Sequence, residues 1–276
     1  MRRMHPHWIG TVFLATGLLI AQERLTPESL VGLRRVGEPA LSAQGSKLAF
    51  TVRTVDLAQN RAVPMVWTLD LQREDSAPAA LAEGSEPCWA PDGQSIAWLT
   101  KGGIQIRDLA TGKDRLLALP GGIANLRWTP DGSRFVFTQD VKLDPDVHDR
   151  HPDLPKAAAR VYDDLMVRHW DSWKDGTYSH IFTVPADGTG KPVDLMAGER
   201  VDAPLKPFGG KEQFCVSPDG KFLCYTAKRV ADPERSTDSA LWVVPITGGP
   251  AECLTSSMPG YDQDPAWSPD GSKIAF

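Results

Sequence analysis

Cysteine is scarce: four residues in a chain of 276 are too few to frame a fold of this size with disulfides. Positive charge is not in excess either. A formal charge of −5 and an isoelectric point near 5.7 argue against nucleic acid or an anionic membrane as the main partner. Long helix-forming runs are few, while Pro (23), Gly (24) and Trp (9) are plentiful, the balance of a turn-rich β protein. The apolar run Trp8–Ala21 falls short of the roughly 20 residues of a membrane-spanning helix. A Gly-x-Ser-x-Gly elbow is missing too. The nearest approach, "GQSIA" at Gly93–Ala97, fails at its last position and reads as a hairpin. "DGTGK" at Asp187–Lys191 lacks the spacing of a phosphate loop and the Ser/Thr that opens its helix. No catalytic residue, cofactor or metal site is assigned from these absences.

What is present begins with Arg2 and Arg3, the apolar run to Ala21, and a switch to "QERLTPE". This order is that of an export signal. Ala21 suits the last position before cleavage, although Leu19 is larger than usual two residues earlier. A retained anchor is the alternative. The expectation is a signal over 1–21, a lead-in over 22–37, and a periplasmic or secreted protein that meets the membrane only in transit. Thr26 as N-cap and Pro27 at the first helical position predict a short helix to about Leu33.

Five segments then align without a gap: "EPALSAQGSKLAF" (38–50), "EPCWAPDGQSIAW" (86–98), "NLRWTPDGSRFVF" (125–137), "QFCVSPDGKFLCY" (213–225) and "DPAWSPDGSKIAF" (264–276). Pro sets φ at the first corner, Asp bonds nearby amides, and Gly accepts positive φ. Alternating flanks make each a β-hairpin. A second strand–turn–strand recurs at 64–84, 102–122, 179–198 and 239–257. Two hairpins per period give four-stranded antiparallel units, the blades of a β-propeller. The turn glycines Gly45, Gly93, Gly132, Gly220 and Gly271 lie 48, 39, 88 and 51 residues apart. The long interval holds only one strand return, so it is one blade with an insertion over 140–178. The prediction is an all-β chain of four blades and the opening hairpin of a fifth, spanning 38–276.

Cys88 and Cys215 fall in the slot of Ala40 and Ala266, and Cys224 in that of Ala49, Ala97 and Ala275. They read as small buried residues, with a Cys215–Cys224 disulfide left open because direct cross-strand geometry is often strained.

The insertion breaks the repeat, and binding functions concentrate in such loops. Ala157–Trp170 reads as a helix with Val161, Leu165 and Met166 on one stripe. Tyr162, Asp163 and Asp164 bring a phenol and paired carboxylates together, followed by Arg168 and His169. Paired carboxylates hold an ammonium group; the alternative is a solvated acidic face balanced by Arg160 and Arg168. His148 and His151 lack further ligands for a metal.

The start "LTPESLVGLRRVGEPALS", the repeated "SPDG" hairpins and "RVYDDLMVRHWDSWKDGTYSHIF" together resemble the N-terminal propeller of the prolyl oligopeptidase family of serine peptidases, nearest its bacterial dipeptidyl-peptidase and acylaminoacyl-peptidase-like members. The resemblance implies a propeller that caps an α/β-hydrolase domain carrying Ser, Asp and His and admits short peptides. That domain is expected beyond Phe276, so the chain reads as C-terminally truncated and inactive alone. Tyr162-Asp163-Asp164 is similar to the Tyr-acid-acid stretch with which dipeptidyl-peptidase relatives bind a substrate's free amino terminus, with Asp where those relatives have Glu. The implied partners are short peptides, reached through the hydrolase domain; Arg168 and His169, which follow the acids in the chain, are taken with them as candidate substrate contacts. The second reading is a TolB-like periplasmic propeller that works as a protein-binding scaffold. The "YDDLMVRHWDSW" segment favours the peptidase.

Overall fold

The five repeated turns set the architecture. In each, the glycine N–H donates back to the residue three positions earlier, at 2.8–2.9 Å, as from Gly93 to Ala90 and from Gly220 to Ser217. The Asp carboxylates of the four Pro-Asp-Gly turns accept the N–H two residues on, as Asp92 does from Gln94 at 2.8 Å. The glycines take φ of +67 to +73°, a region that side chains other than Gly resist.

The computed structural model describes residues 24–276. The expected export signal therefore lies outside the described residues, and no helix among them is long and apolar enough to cross a membrane. Helix α1 (Pro27–Gly32) forms as predicted. The Thr26 hydroxyl accepts the Ser29 N–H, and the Ser29 hydroxyl accepts that of Thr26, closing a reciprocal cap.

Blade one comprises β1 (Arg35–Leu41), β2 (Lys47–Asp56), β3 (Arg61–Asp70) and β4 (Ala79–Glu83); blade two comprises β5 (Ser85–Trp89), β6 (Ser95–Thr100), β7 (Gly103–Asp108) and β8 (Asp114–Ala118). In blade three, β9 (Ile123–Trp128) and β10 (Arg134–Lys142) are followed by helix α2 (Val147–Arg150) and a small hairpin, β11 (Arg168–His169) with β12 (Ser172–Trp173), before β13 (Thr177–Pro185) and β14 (Val193–Asp194). Blade four is β15 (Phe214–Val216), β16 (Phe222–Ala227), β17 (Ala240–Pro245) and β18 (Glu252–Cys253), and a last hairpin pairs β19 (Ala266–Trp267) with β20 (Ile274–Ala275). Every blade is antiparallel in simple order. Four blades and a further hairpin match the expectation.

The core lies between blades, where sheets stack face to face. Ala49, Val66, Trp89, Ile96 and Trp98 fill the first interface. Ile104, Ile106, Leu117, Phe135, Phe137 and Val184 dominate the second. Val136, Ile181, Phe214, Leu223, Tyr225 and Val244 dominate the third. On β10, Phe135 and Phe137 face blade two while Val136 faces blade four. Middle strands are thus buried on both faces, and their sequences read as unbroken apolar runs.

Two expectations for the insertion are corrected. Strands β10 and β13 stay paired out to Lys142↔Thr177, so the connecting segment is 143–176, shorter at both ends than 140–178. Ala157–Trp170 is not a helix: the chain is irregular to Val167 and then enters β11. Its intended stripe finds nothing to pack on, since Val161, Leu165 and Met166 remain 42%, 56% and 43% exposed. A helix of this length is marginal without such packing. The helical part of the insertion is instead the single turn of α2, capped by the Asp146 carboxylate on the N–H groups of His148 and Asp149.

Candidate functional site

Because β10 and β13 run past the rest of blade three, they carry the insertion outward on a rigid ribbon. Two residues fasten its base: Asp144 accepts a hydrogen bond from the Tyr178 hydroxyl at 2.7 Å and an ion pair from Arg200 at 2.7 Å. Burial works against the Asp144 charge, but the Tyr178 and Arg200 bonds outweigh it and hold its carboxyl below the usual range. Lys142 pairs with both Asp146 and Asp149, pinning α2 to the end of β10.

From α2, Arg150 reaches Asp163 at 2.5 Å and draws the 157–164 segment across the ribbon. The Tyr162 hydroxyl donates to the Lys174 carbonyl at 3.0 Å, and its ring stacks on Trp173 at 6.4 Å. The guanidinium groups of Arg160 and Arg168 stand 5.9 and 5.4 Å from the centre of the Trp173 ring. Beside Tyr162 lies an open cleft of about 750 Å³, and Tyr162, Asp163, Asp164, Arg160, Lys174 and Tyr178 all line it.

The cleft gathers three of the five residues singled out from the sequence, Tyr162, Asp163 and Asp164. The other two lie outside it. Arg168 donates from Nε to the Trp170 carbonyl at 2.5 Å, and His169 stacks on the Trp170 ring at 5.7 Å with its Nε2 buried and unbonded. The two acids also differ. Asp163 is held by Arg150, which keeps its carboxyl below the usual range, whereas Asp164 makes no ion pair among the described residues. A cation entering the cleft therefore meets two carboxylates without an ion-pair partner among the described residues, Asp164 and Asp175, of which Asp175 already accepts the N–H and the hydroxyl of Thr177. No group of three potential metal ligands occurs among the described residues.

Several cleft residues were not singled out. The cap "DPD" at Asp144–Asp146 is a sequence signal for the start of α2. Arg200 carries no such signal, because it reaches Asp144 from 56 residues away. A second arrangement connects the blades. The first residue of the five hairpins is Glu38, Glu86, Asn125, Gln213 and Asp264, always a side chain with an acceptor oxygen. Glu38, Glu86, Asn125 and Asp264 take φ of +51 to +59°. The Glu38 carboxylate accepts the N–H of Glu86, and that of Glu86 accepts the N–H of Leu126.

No known protein-family profile matches the chain. Among curated proteins, it is 34% identical over 267 residues to dipeptidyl-peptidase 5 of Porphyromonas endodontalis, covering 91% of this chain and 38% of that protein. It is 36% identical over 267 residues to dipeptidyl-peptidase 5 of Porphyromonas gingivalis, covering 92% and 39%. The chain thus spans well under half the length of these relatives. Among solved structures, acylaminoacyl peptidase of Pyrococcus horikoshii superposes with a TM-score of 0.59 at 14% identity, over 82% of this chain and 33% of that one. An acylaminoacyl peptidase bound to Z-Gly-Gly-Phe-chloromethyl ketone gives 0.61 at 14%, over 83% and 33%. At such identity the structural likeness shows the fold alone. The resemblance read from the residues holds: the chain is related to dipeptidyl-peptidases along a propeller region.

Proposed function

We propose, taking the kinship with dipeptidyl-peptidase 5 as premise, that this chain is the propeller of an exported serine peptidase and that its third-blade insertion selects short peptides by their free amino terminus. The cleft carries the reading: it sits on the insertion and presents Asp164, a carboxylate without an ion-pair partner among the described residues, beside a second acid, Asp163, that Arg150 already neutralises. An α-ammonium group would bond to Asp164, a charge-assisted contact stronger than a neutral one. Arg150 and Asp163 act as positioning residues that hold the segment in place. The Tyr162 hydroxyl is engaged with Lys174, so its ring serves as a wall of the cleft and its proton is not offered to substrate. The chemistry of acyl transfer falls to the Ser, Asp and His of the hydrolase domain that the family resemblance implies, and no residue described here is assigned a step in it. Stacked blades restrict entry to short chains.

The test is titration of this chain with a short peptide carrying either a free or an acetylated amino terminus, followed by tryptophan emission, since Trp173 stacks against Tyr162 at the cleft. The free-amine peptide is expected to shift the emission and the acetylated one to leave it unchanged, with Asp164→Asn abolishing the difference. Equal binding of the two peptides, or a difference that survives Asp164→Asn, contradicts the proposal.

A further inference from the structure

One cross-strand position recurs in all five hairpins, and its occupants differ. The directly opposed pairs are Ala40↔Ala49, Cys88↔Ala97, Arg127↔Val136, Cys215↔Cys224 and Ala266↔Ala275. Packing there is satisfied by two alanines in the first and last copies. Two thiols in the fourth copy therefore answer a requirement other than volume. Directly opposed residues of an antiparallel pair share one face of the sheet, and their Cα atoms lie within the span that a disulfide bridges.

The two cysteines are unequal. Cys224 is fully buried, whereas Cys215 is half-buried, and both are thiols in the structure. Beside Cys215 stands Arg127 of β9. Its guanidinium lies 5.4 Å from the centre of the Phe214 ring and donates to the Lys211 carbonyl at 2.6 Å, while its Nε is buried without a partner. Arg127 makes no ion pair among the described residues. The thiol of Cys224 lowers the pKa of Cys215; burial opposes this, and the Trp267 N–H and the Arg127 charge add to it. Cys224 is driven the other way by Cys215 and by burial. Cys88, which also senses Arg127, is pushed up to about 12 by burial. Cys215 is the less buried of the two and the one beside Arg127, and Cys224 lies buried behind it, the division between an attacking and a resolving thiol.

We propose that Cys215 and Cys224 form a redox pair that closes to a cross-strand disulfide between β15 and β16 on reaction with an external disulfide, small-molecule or protein. The Cys215 thiolate attacks one sulfur of the external disulfide, forming a mixed disulfide and releasing one thiolate, which takes up the proton that Cys215 lost. Cys224 then gives up its proton and attacks the Cys215 sulfur. The second external thiol leaves with that proton. Two protein thiols are oxidised by two electrons, and the external disulfide is reduced to two thiols. The bond joins the strands at the junction of blades three and four and the last hairpin, where Arg127, Phe214 and Trp267 meet.

The experiment is equilibration of the whole chain in glutathione buffers of increasing oxidation, followed by acid quench, alkylation under denaturing conditions and peptide mass mapping. The expected result is a fall in titratable thiols from the four of the reduced chain to two, with a Cys215–Cys224 linked peptide and Cys88 and Cys253 alkylated. Cys224→Ala is expected to carry one glutathione on Cys215, and Cys215→Ala to leave Cys224 a thiol. Both variants place alanine where other copies already have it, and circular dichroism confirms their folding. A chain that keeps all four thiols in the most oxidising buffer, a link that involves Cys88 or Cys253, or a Cys224→Ala variant free of glutathione overturns the proposal.

Discussion

The Glu38 carboxylate of blade one accepts the backbone N–H of Glu86 in blade two at 2.7 Å. The same carboxylate oxygen takes the Thr51 hydroxyl at 2.6 Å, and Glu86 repeats the relation by accepting the Leu126 N–H of blade three at 2.8 Å. Neighbouring blades are joined mostly by apolar stacking, which has no directional preference. These carboxylates add directional links between one blade and the next, as do the bonds from Trp89 to the Ala40 carbonyl and from Arg115 to the Ala186 carbonyl.

Glu86 tests that role. Burial raises its pKa, the Leu126 N–H opposes the rise, and Glu38 adds repulsion. Glu86→Ala leaves the Leu126 N–H without its acceptor and is expected to cost about 1–3 kcal/mol. Glu86→Gln keeps an acceptor oxygen and removes the buried charge, so it is expected to be near neutral. Urea unfolding of the two variants checks this, and equal losses would contradict it.

Gly220 and Gly45 occupy the same place in two turns, at φ +72° and +67°. A Cβ on Gly45 meets nothing within 4 Å, whereas one on Gly220 falls 2.6 Å from Asp131 Cγ in the preceding blade. Gly45→Ala is expected to cost only the strain of the left-handed backbone, about 1–2 kcal/mol. Gly220→Ala is expected to cost more, because the Asp131 carboxylate, held by Thr129 and Ser133, must move as well. Thermal unfolding of both variants reads the difference.

The hairpins were legible because their turn chemistry is local and repeats five times. The strands were legible because apolar residues flank each turn, as in β6 and β16. The insertion was not. Helical spacing around Val161 and Leu165 is a local signal, and it lost to the absence of any surface on which that stripe could pack. The cleft was half legible: Tyr162, Asp163 and Asp164 stand together in the chain, but Arg150 and Arg200 arrive from elsewhere. The acceptor column that begins with Glu38 and Glu86 is visible in the aligned copies. Its role is not, since the Glu38 and Glu86 carboxylates bond to the copy that follows, while Asn125 bonds to Thr138 of its own blade.

His180 is fully buried between blades, with Nδ1 2.9 Å from the Asp194 carboxylate and Nε2 2.8 Å from the Glu199 carbonyl. Both neighbours are acceptors, so the protonated ring can donate from both nitrogens. Burial opposes that charge, but the bonds to Asp194 and Glu199 outweigh it and raise the pKa above the ordinary 6.5. A raised pKa means stability that is complete below pH 6.5 and lost as pH rises through the higher folded value. His180→Gln is expected to cost about 1–3 kcal/mol near pH 6 and less at pH 9. Urea midpoints across this range check it; parallel curves for the two proteins would contradict it.

The proposed role, a peptidase propeller whose insertion reads the amino terminus, is tested in a whole enzyme. The most direct measurement replaces the matching region of Porphyromonas gingivalis dipeptidyl-peptidase 5 with this chain and follows release of dipeptides from chromogenic substrates. Turnover of substrates with a free amine is expected, with a KM raised roughly tenfold or more by Asp164→Asn, the loss of one hydrogen bond to a charged group. A folded chimera without turnover, or one whose KM ignores both Asp164→Asn and acetylation of the substrate, contradicts it.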